Sequence, residues 1–432
     1  MAVGHSIEAV LQVAVDGLLG RIAGRFARVE TRRRARGLLL GLLADLPRKN
    51  CWTIAEHAGD SSPDGMQHLL NRASVDTDGL RDDLRDYVIE HLGDDDAVLV
   101  GDETGDVKKG IHTVGVQRQY TGTAGRIENA QVAVYLTYAS RHGHALLDRE
   151  LYLPKSWTTD PERCSAAGVP ADTEFATKPQ LAATMIGRAL DAGVPASWVA
   201  ADEVYGADPR LRGELEQRRI GYVLAIGCDR RVTTDLGTWR ADQIPATLPA
   251  QAWQPLSCGP GAKGDRVYDW ASLALSPPPG TNAGGCWWLL IRRHRRHREL
   301  AFYRCYAPAP VPLRVLVAVA GRRWSVEESF QVGKGLAGLD EHQHRRWQPW
   351  RRWTIFAMLA HALLAVTTAN QRRTAPPDGL IALTCNETRR LLVVHVIEPA
   401  RRVACPDTWS TWRRRHQQRA KTSHYQRQHQ HP

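Results

Sequence analysis

The chain has 432 residues, of which 43% are hydrophobic and 24% charged, a balance typical of a folded protein with roughly two or three domains rather than of a disordered one. Lys and Arg number 57 against 46 Asp and Glu, and the net charge of +11 favours a polyanionic partner such as nucleic acid. The 8 cysteines include no Cys-x-x-Cys pair, which argues against a zinc-binding pattern and against a small disulfide scaffold.

The first 93 residues are predicted to form an all-α domain. Apolar side chains recur at helical spacing over Ile7–Val29, and a second amphipathic helix over 38–46 ends at Pro47. The basic run Arg32–Arg36 is expected to lie between these two helices. A further helix is predicted around Leu80–His91.

A helix-turn-helix pattern lies inside this domain. Trp52–His57 is predicted to form a short helix, Gly59 a turn, and Ser62–Ala73 a second helix. In a DNA-binding pair of this kind, Gln67 and Arg72 would be exposed and would contact DNA. Short helix pairs also occur in all-α domains that have no such role.

Residues 94–227 alternate between buried strands and helices, which predicts an α/β layer with a partly parallel sheet. Ala97–Val100 and Trp198–Ala201 are apolar runs that each end in acidic residues, and a helix is predicted over 179–192. Asp208 and Pro209 are typical of the start of another helix. Further strands are predicted over 131–138, 145–153 and 222–226.

Residues 228–320 are rich in Pro, Gly and Trp and are predicted to form a β-rich insertion, after which a helix begins near Arg322. More helix is expected over 350–367, where the apolar run is shorter than the ~20 residues that span a bilayer. Residues 371–432 form a basic C-terminal region. Its end, Trp412–Pro432, is predicted to be disordered because it has almost no apolar content. Neither a signal peptide nor a membrane segment is expected.

Two acidic residues, Asp102 and Asp202, follow the apolar strands, where catalytic groups gather in α/β sheets. A buried carboxylate without a cationic partner is costly unless it binds a metal ion. Asp208 is interpreted as a helix cap, whereas Asp202 is not expected to cap a helix. At most one residue of each adjacent pair should be a ligand, since Glu103 and Glu203 would point to the opposite face of their strands.

A third acidic residue lies on the helix after the insertion. Arg323, Glu327, Phe330 and Lys334 are three or four positions apart and therefore share one face of this helix. An exposed Arg–Glu pair is the ordinary interpretation, but Phe330 should turn this face toward the sheet. Glu328 is an alternative third acid, although it lies about 100° around the helix.

The three acidic segments resemble the signature boxes of DDE transposases, in particular the IS4-like group and its IS701 family. The similar segments are Asp102-Glu-Thr, Asp202-x-x-Tyr-Gly, Arg323-Trp-x-x-Glu with Lys334, Gly115–Gly125 and Ala201–Gly206. The likeness extends over roughly residues 30–370. The family's Tyr-x-x-Arg-x-x-x-Glu-x6-Lys box has Ala320 at its Tyr position, which is a departure from the pattern.

The resemblance implies an RNase H-like core in residues 94–227 and 321–370, interrupted by the insertion 228–320 and preceded by a DNA-binding domain in residues 1–93. It implies that Asp102, Asp202 and Glu327 hold two Mg²⁺ ions, for which Mn²⁺ would substitute. Water and then a 3′-hydroxyl would attack DNA phosphodiesters. The implied partner is double-stranded DNA, both terminal inverted repeats and target, and joining two ends implies at least a dimer.

Basic side chains near the predicted acids are expected to hold DNA phosphates. Arg323 and Lys334 share the helix with Glu327, and Lys108 follows Asp102, where it could equally belong to a solvated turn. The other candidates for DNA binding are Arg345, Arg346, Arg351 and Arg352. Five tryptophans could stack on unpaired bases or pack in the core: Trp287, Trp288, Trp347, Trp350 and Trp353.

Together these features predict a bacterial insertion-sequence transposase, cytoplasmic and nucleoid-associated, that cleaves the ends of its element and joins them to target DNA. The alternative is a transposase-derived DNA-binding protein that no longer cleaves. A metal-dependent phosphoesterase for small substrates is a third interpretation, which the basic charge and the helical N-terminal domain disfavour.

Overall fold

The computed structural model describes residues 7–261, 264–280, 284–373, 379–401 and 403–430. The chain divides into two compact units. The first comprises Met1–Leu84 and Val332–Pro432, and the second comprises Arg85–Gln331.

The helices of the described residues, in chain order, are α1 (Ile7–Ile22), α2 (Val29–Leu43), α3 (Cys51–His57), α4 (Asp64–Asn71), α5 (Thr77–Leu92), α6 (Lys155–Thr158), α7 (Pro161–Ala167), α8 (Lys178–Asp191), α9 (Glu203–Gly206), α10 (Pro209–Gln217), α11 (Leu313–Arg322), α12 (Trp324–Ala337), α13 (Trp347–Arg372), α14 (Cys385–Leu392), α15 (Glu398–Ala400) and α16 (Pro406–Gln430). The strands are β1 (Val98–Val107), β2 (Gln117–Thr121), β3 (Arg126–Ser140), β4 (Gly143–Leu151), β5 (Trp198–Ala201), β6 (Gly221–Ile226), β7 (Arg231–Thr234), β8 (Gly237–Arg240), β9 (Gln254–Gly261), β10 (Gly264–Leu275), β11 (Cys286–Arg293) and β12 (Leu300–Ala307).

The second unit is built on a mixed sheet in the order β2-β3-β1-β5-β6-β12-β11-β10-β9, with β4 paired to β3. Strands β1, β5 and β6 run parallel to one another, whereas β3 and β12 run antiparallel to the neighbours they flank. The segment 228–320 is indeed rich in strands, but β9–β12 extend the central sheet instead of forming a separate layer.

Local sequence signals predicted the starts of α8 and α10, the helices that precede and follow β5 in the chain. Helix α8 begins with a capping box, in which Thr177 and Gln180 satisfy each other's backbone N–H groups. Helix α10 begins at Pro209, and the Asp208 side chain accepts from the N–H groups of Arg210 and Leu211. Strand β5 has the predicted bounds and is buried throughout.

Strand β1 is longer than its apolar run predicted. Its whole length pairs antiparallel with β3, from Val98 opposite Ala139 to Val107 opposite Ala130. Asp102 therefore lies within a strand, not at its end. The long-range ladder with β3 extends β1 through polar residues that have no strand signal of their own.

The N-terminal helices divide at a different place from the one predicted. Helix α1 ends at Ile22, and α2 already begins at Val29, so the basic run Arg32–Arg36 lies inside α2. The break occurs at Phe26, which is buried and forms a β-bridge with Val75. This tertiary contact overrides the helical periodicity that continued to Val29.

The prediction of a disordered C-terminal end is wrong for residues 412–430, which belong to α16; 431 and 432 lie outside the described residues. Trp409 is buried and donates to the carbonyl of Asp60 over 2.7 Å. Trp412 packs edge-on against Trp52, and Arg413 pairs with Glu56 at 3.0 Å. These three side chains attach a polar helix to the first unit.

Helix α13 is the core helix of the first unit. It is long and apolar enough to cross a membrane, but 94% of its most apolar window is buried inside the fold. This burial is typical of a central helix in a globular protein.

Candidate active site

Asp102, within β1, and Asp202, directly after the neighbouring parallel strand β5, lie side by side in the second unit. The last register pair between β1 and β5 is Gly101 opposite Ala201, and each aspartate is the next residue along the chain. Neighbouring strands are about 4.8 Å apart, so the two carboxylates arise close together. The structure thus brings together two of the three predicted acids.

The carboxylate of Asp102 is buried and has two hydrogen-bond partners. Oδ1 accepts from the backbone N–H of Glu103 at 2.8 Å, and Oδ2 accepts from Nη1 of Arg323 at 3.1 Å. Asp102 therefore has the cationic partner that the sequence argument assumed it lacked. The buried charge of Asp102 is therefore paired within the protein.

Asp202 caps a helix, contrary to the prediction. It is the N-cap of the short helix α9, and its Oδ1 accepts from the N–H of Val204 at 2.8 Å. The side chain is half-buried. The capping bond uses one carboxylate oxygen and orients the group beside β1.

Glu103, the neighbour of Asp102 in β1, has partners of its own. Its Oε1 accepts from Nζ of Lys178 and its Oε2 from the hydroxyl of Tyr205, both at 2.6 Å. Burial and the nearby carboxylates, first of all Glu103, raise the pKa of Tyr205 well above its usual value, so the phenol remains a donor. Sequence analysis missed Lys178 and this use of Tyr205, and only the Tyr-Gly motif indicated a special position.

The glycine of that motif has a steric role. A Cβ at Gly206 would lie 1.9 Å from the carbonyl oxygen of Ala225 in β6. Any side chain would therefore push α9 away from the sheet and displace both Asp202, its N-cap, and Tyr205.

Crowding of acids in a buried place alters their protonation. Burial, with the charges of Asp202 and Glu103, raises the pKa of Asp102 to about 7, although Arg323 acts to lower it. Burial and Glu103 also raise the pKa of Asp202. Near neutral pH, Asp102 can therefore exchange a proton or accept a cation in its place.

The predicted third acid, Glu327, lies in the first turn of α12 and is exposed. Phe330, one turn later, packs edge-on against Tyr135 of β3 with ring centroids 5.5 Å apart. Tyr135 is the register partner of Asp102, so this face of α12 does meet the sheet as expected.

The alternative third acid, Glu328, has a different partner. Its Oε2 lies 3.1 Å from Nε2 of His144, whose Nδ1 lies 2.9 Å from the hydroxyl of Ser329. These contacts hold α12 against the start of β4. The Glu328 carboxylate is thus occupied by His144. Glu327, by its helical spacing, is the acid on the face shared with Arg323 and Phe330.

The donor chemistry of the two aspartates suits a hard divalent cation, since carboxylate oxygens are the ligands that Mg²⁺ prefers. Within the described part of the chain, however, no three acidic, His or Cys side chains are gathered closely enough to form a metal-binding group. Asp102 and Asp202 therefore fit such an ion, and Glu327 is not gathered with them.

The other predicted phosphate-binding residues are divided between the two units. Lys108 follows the end of β1, six positions beyond Asp102, which is about 20 Å along an extended strand, and it lies 3.9 Å from Asp106. Lys334 belongs to the first unit, near the end of α12. Arg345 and Arg346 are exposed just before α13.

The two arginines inside α13 have structural partners in the first unit. Arg351 pairs with Asp78 at 2.6 Å. Arg352, predicted as a DNA contact, is buried and donates to the carbonyls of Leu69 and Leu70. It satisfies carbonyls at the end of α4 that have no partner within that helix.

Most of the predicted base-stacking tryptophans pack in the core. Trp287, Trp350 and Trp353 are buried, whereas Trp288 and Trp347 are half-buried. The indole N–H of Trp287 donates to Glu216, and that of Trp353 to the carbonyl of Gly338. The core-packing alternative therefore holds for these three.

Residues 21–267 match the model of the family described as DDE superfamily endonuclease. The chain belongs to this family. The matched range includes Asp102 and Asp202 and ends before α12, so membership is independent of the choice between Glu327 and Glu328.

Known transposases are among the similar proteins. Over 192 residues the chain is 31% identical to the probable transposase for insertion sequence element IS701 of Microchaete diplosiphon. The aligned residues are 44% of this chain and 47% of that protein. The chain thus matches about half the length of this curated relative. The resemblance to the IS701 group is confirmed. The chain also resembles a solved structure, a piggyBac transposase synaptic complex with hairpin DNA, with a TM-score of 0.46 and 10% identity. This match covers 90% of the present chain and 78% of the piggyBac chain.

Proposed function

We propose that this protein is an active insertion-sequence transposase that binds double-stranded DNA, cleaves the ends of its element and joins them to a target. The observation that carries the proposal is the pair formed by Asp102 in β1 and Asp202 at the end of the adjacent parallel strand β5, both inside the range that matches the DDE endonuclease family. The net charge of +11 supports a nucleic-acid substrate.

The strand arrangement supports an RNase H-like core for the second unit. Strands β4, β3 and β1 form an antiparallel meander, and β5 and β6 continue the sheet parallel to β1 on its other side. Asp102 lies on the central strand of this arrangement, and Asp202 ends the strand next to it. The first unit, which is helical, would supply the DNA-binding domain.

Asp102 and Asp202 would hold Mg²⁺ or Mn²⁺, with Glu327 completing the set. When bound, two such ions would activate an oxygen nucleophile and stabilise the leaving oxygen of a phosphodiester. The chain's own contribution is to fix both aspartates. Asp202 is oriented by its bond to the N–H of Val204, and Asp102 by its bonds to Glu103 and Arg323.

Arg323 would act on the DNA as well as on Asp102. The Arg323 side chain is 27% exposed, and only one of its guanidinium nitrogens contacts the aspartate. Its remaining N–H donors can therefore bind a phosphate. Phosphate contacts of this kind position the backbone without reading its sequence.

The test is cleavage of a duplex made from the DNA that flanks the gene, with Mg²⁺ or Mn²⁺ present. Asp102→Asn, Asp202→Asn and Glu327→Gln should each abolish nicking while leaving binding of the same duplex intact. Glu203→Gln and Glu328→Gln are matched controls, each one residue from a proposed ligand, and should cleave. Cleavage by Glu327→Gln and not by Glu328→Gln would move the third ligand to Glu328.

The second candidate is a DNA-binding protein derived from a transposase that no longer cleaves. The exposed position of Glu327, which is not gathered with the two aspartates, is the observation that favours it. This candidate predicts that the wild-type protein binds the flanking DNA but cuts none.

For the active transposase we also propose a dimer in the DNA complex, because two DNA ends would have to meet during joining.

A further inference from the structure

A concave pocket of about 580 Å³ opens in the first unit beside the turn that joins α3 to α4. Its walls come from α2, from this turn and from the segment that ends α15. Four guanidinium groups line it, those of Arg33, Arg34, Arg36 and Arg401. All of its lining residues belong to the first unit, whereas Asp102, Asp202 and Glu327 belong to the second.

The arginines are gathered because α2 continues through the basic run. Ala35 and Leu38 are buried and hold one face of α2 against the core. Arg33 is consequently exposed, and Arg34 and Arg36 are half-buried along one wall of the pocket. Like charges at this spacing repel one another, and an anion in the pocket would relieve that repulsion.

Not all of the charge is neutralised within the protein. Arg36 pairs with Asp16 at 3.0 Å, and Asp60 also contributes to the wall. Nε of Arg34, by contrast, is buried without a hydrogen-bond partner among the described residues. Arg401 makes one long contact, 3.5 Å, with Glu398.

His57 lies in the same wall of the pocket. Burial and the charge of Arg401 lower the pKa of His57 from its usual value. The imidazole is therefore neutral at pH 7 and adds no competing charge, although it retains a nitrogen that can donate a hydrogen bond.

We propose that this pocket binds phosphate groups of the DNA backbone. Guanidinium groups match phosphate oxygens with paired N–H donors, and four of them line this pocket. The described lining contains no Trp, Tyr or Phe on which a base could stack, which favours a phosphate over a nucleobase. The choice of DNA over a free phosphate ion rests on the proposed function, in which DNA is the substrate.

The experiment measures binding of the full-length protein to a fluorescent duplex of about 30 bp and arbitrary sequence, by anisotropy, over a range of KCl concentrations. EDTA is present, so cleavage does not contribute. Arg34→Gln should weaken binding about tenfold near 0.1 M KCl. The double variant Arg33→Gln/Arg401→Gln should weaken it by a similar factor. The slope of log Kd against log salt should fall by about 1 for each DNA phosphate that the variant can no longer bind.

Arg28→Gln is the matched control, because Arg28 is exposed at the start of the same helix and does not line the pocket. It should change the Kd less than about threefold, the effect of one distant surface charge. Arg34→Lys keeps the charge and loses the planar fork, so its Kd should lie between those of wild type and Arg34→Gln. Melting temperatures of all variants should match that of wild type.

Pocket variants that bind the duplex as Arg28→Gln does would overturn the proposal. Calorimetric titration with inorganic phosphate separates the two sources: a phosphate site that is lost in Arg34→Gln, with duplex binding unchanged, would assign the pocket to a small anion instead. Wild type that fails to bind any duplex would refute the proposed function together with this one. Weaker binding by the pocket variants, with a wild type that binds but does not cleave when Mg²⁺ is supplied, would support the pocket and refute only the cleavage.

Discussion

Arg323 and Asp102 are 221 positions apart in the chain, and Nη1 of Arg323 donates to Oδ2 of Asp102 over 3.1 Å. The pair joins the junction of α11 and α12 to β1. It offsets part of the free energy lost when the Asp102 carboxylate leaves water. The same two residues lie at the proposed reaction centre, so stability and catalysis depend on one contact.

Arg323→Gln should destabilise the protein more at high pH than at low pH. Without the guanidinium the buried carboxylate loses its partner, but below its pKa it can take up a proton instead. We expect a loss of about 2–3 kcal/mol near pH 8.5 and of less than about 1 kcal/mol near pH 6, measured by urea unfolding. Arg314→Gln, an exposed arginine of α11, is the control and should be neutral at both pH values. Equal losses for Arg323→Gln at both pH values would contradict the role of the pair.

Asp102 itself should make the protein less stable as the pH rises. Its pKa is about 7 in the folded protein against 3.8 as the reference value, so the folded state binds the proton more tightly than the unfolded state. Stability therefore falls between about pH 4 and pH 7, by up to about 4 kcal/mol, and changes no further above that range. Asp102→Asn should lack this fall, which urea unfolding across the range would reveal. A wild-type curve parallel to that of Asp102→Asn would exclude the raised pKa.

Local signals in the sequence predicted part of this site. A strand that is buried at every residue placed Asp202, and the Asp208-Pro209 pair placed the start of α10. The salt bridge of Arg323, by contrast, could not be predicted, because it joins residues from distant segments. The same holds for the bond from Lys178 to Glu103, which depends on how α8 packs beside β1.

Gly206→Ala should be strongly destabilising. The new Cβ would lie 1.9 Å from the carbonyl oxygen of Ala225, and that backbone atom cannot move without distorting β6. We expect a loss of about 2–3 kcal/mol in urea unfolding and weaker cleavage, since Asp202 and Tyr205 flank the same turn. Gly213→Ala is the control, because nothing lies within 4 Å of its Cβ position in α10. It should leave stability unchanged or raise it by about 0.5–1 kcal/mol. Equal behaviour of the two variants would refute the steric argument.

Trp409→Ala should release the C-terminal helix. Trp409 is buried to 1% exposure and donates to Asp60, and little else in the polar α16 is apolar. We expect a loss of about 3 kcal/mol or more, with tryptic cleavage appearing at the arginines of 413–415. Trp239→Ala, at an indole with 41% exposure, should cost less than about 1 kcal/mol and expose no new site. Retained protection of α16 in Trp409→Ala would show that other contacts hold it.

The failure to predict α16 has a physical reason. Composition measures how many apolar residues a segment has, and this tail has few. Trp409 and Trp412 nevertheless reach surfaces formed by residues near 52 and 60, and together with the Arg413–Glu56 pair they attach a helix of 25 residues to the first unit. Arg352 illustrates the converse. Its residue type and its place in a basic run suggested DNA, but its surroundings are buried carbonyls.

Addition of Mg²⁺ should stabilise the folded protein above pH 7, because a cation that binds the folded state alone raises the melting temperature by mass action. Asp102 and Asp202 are adjacent, and burial together with neighbouring carboxylates raises the pKa of both, so protons compete with the metal and the effect should shrink below that pH. A thermal shift with millimolar Mg²⁺ is the measurement.

Three variants test which acids hold the ion. Asp102→Asn should abolish the shift and Glu327→Gln should reduce it. Glu328→Gln should leave the shift intact because Glu328 contacts His144. An unchanged shift in Asp102→Asn would place the ion elsewhere, and an unchanged shift in Glu327→Gln would remove α12 from the metal site in the absence of DNA.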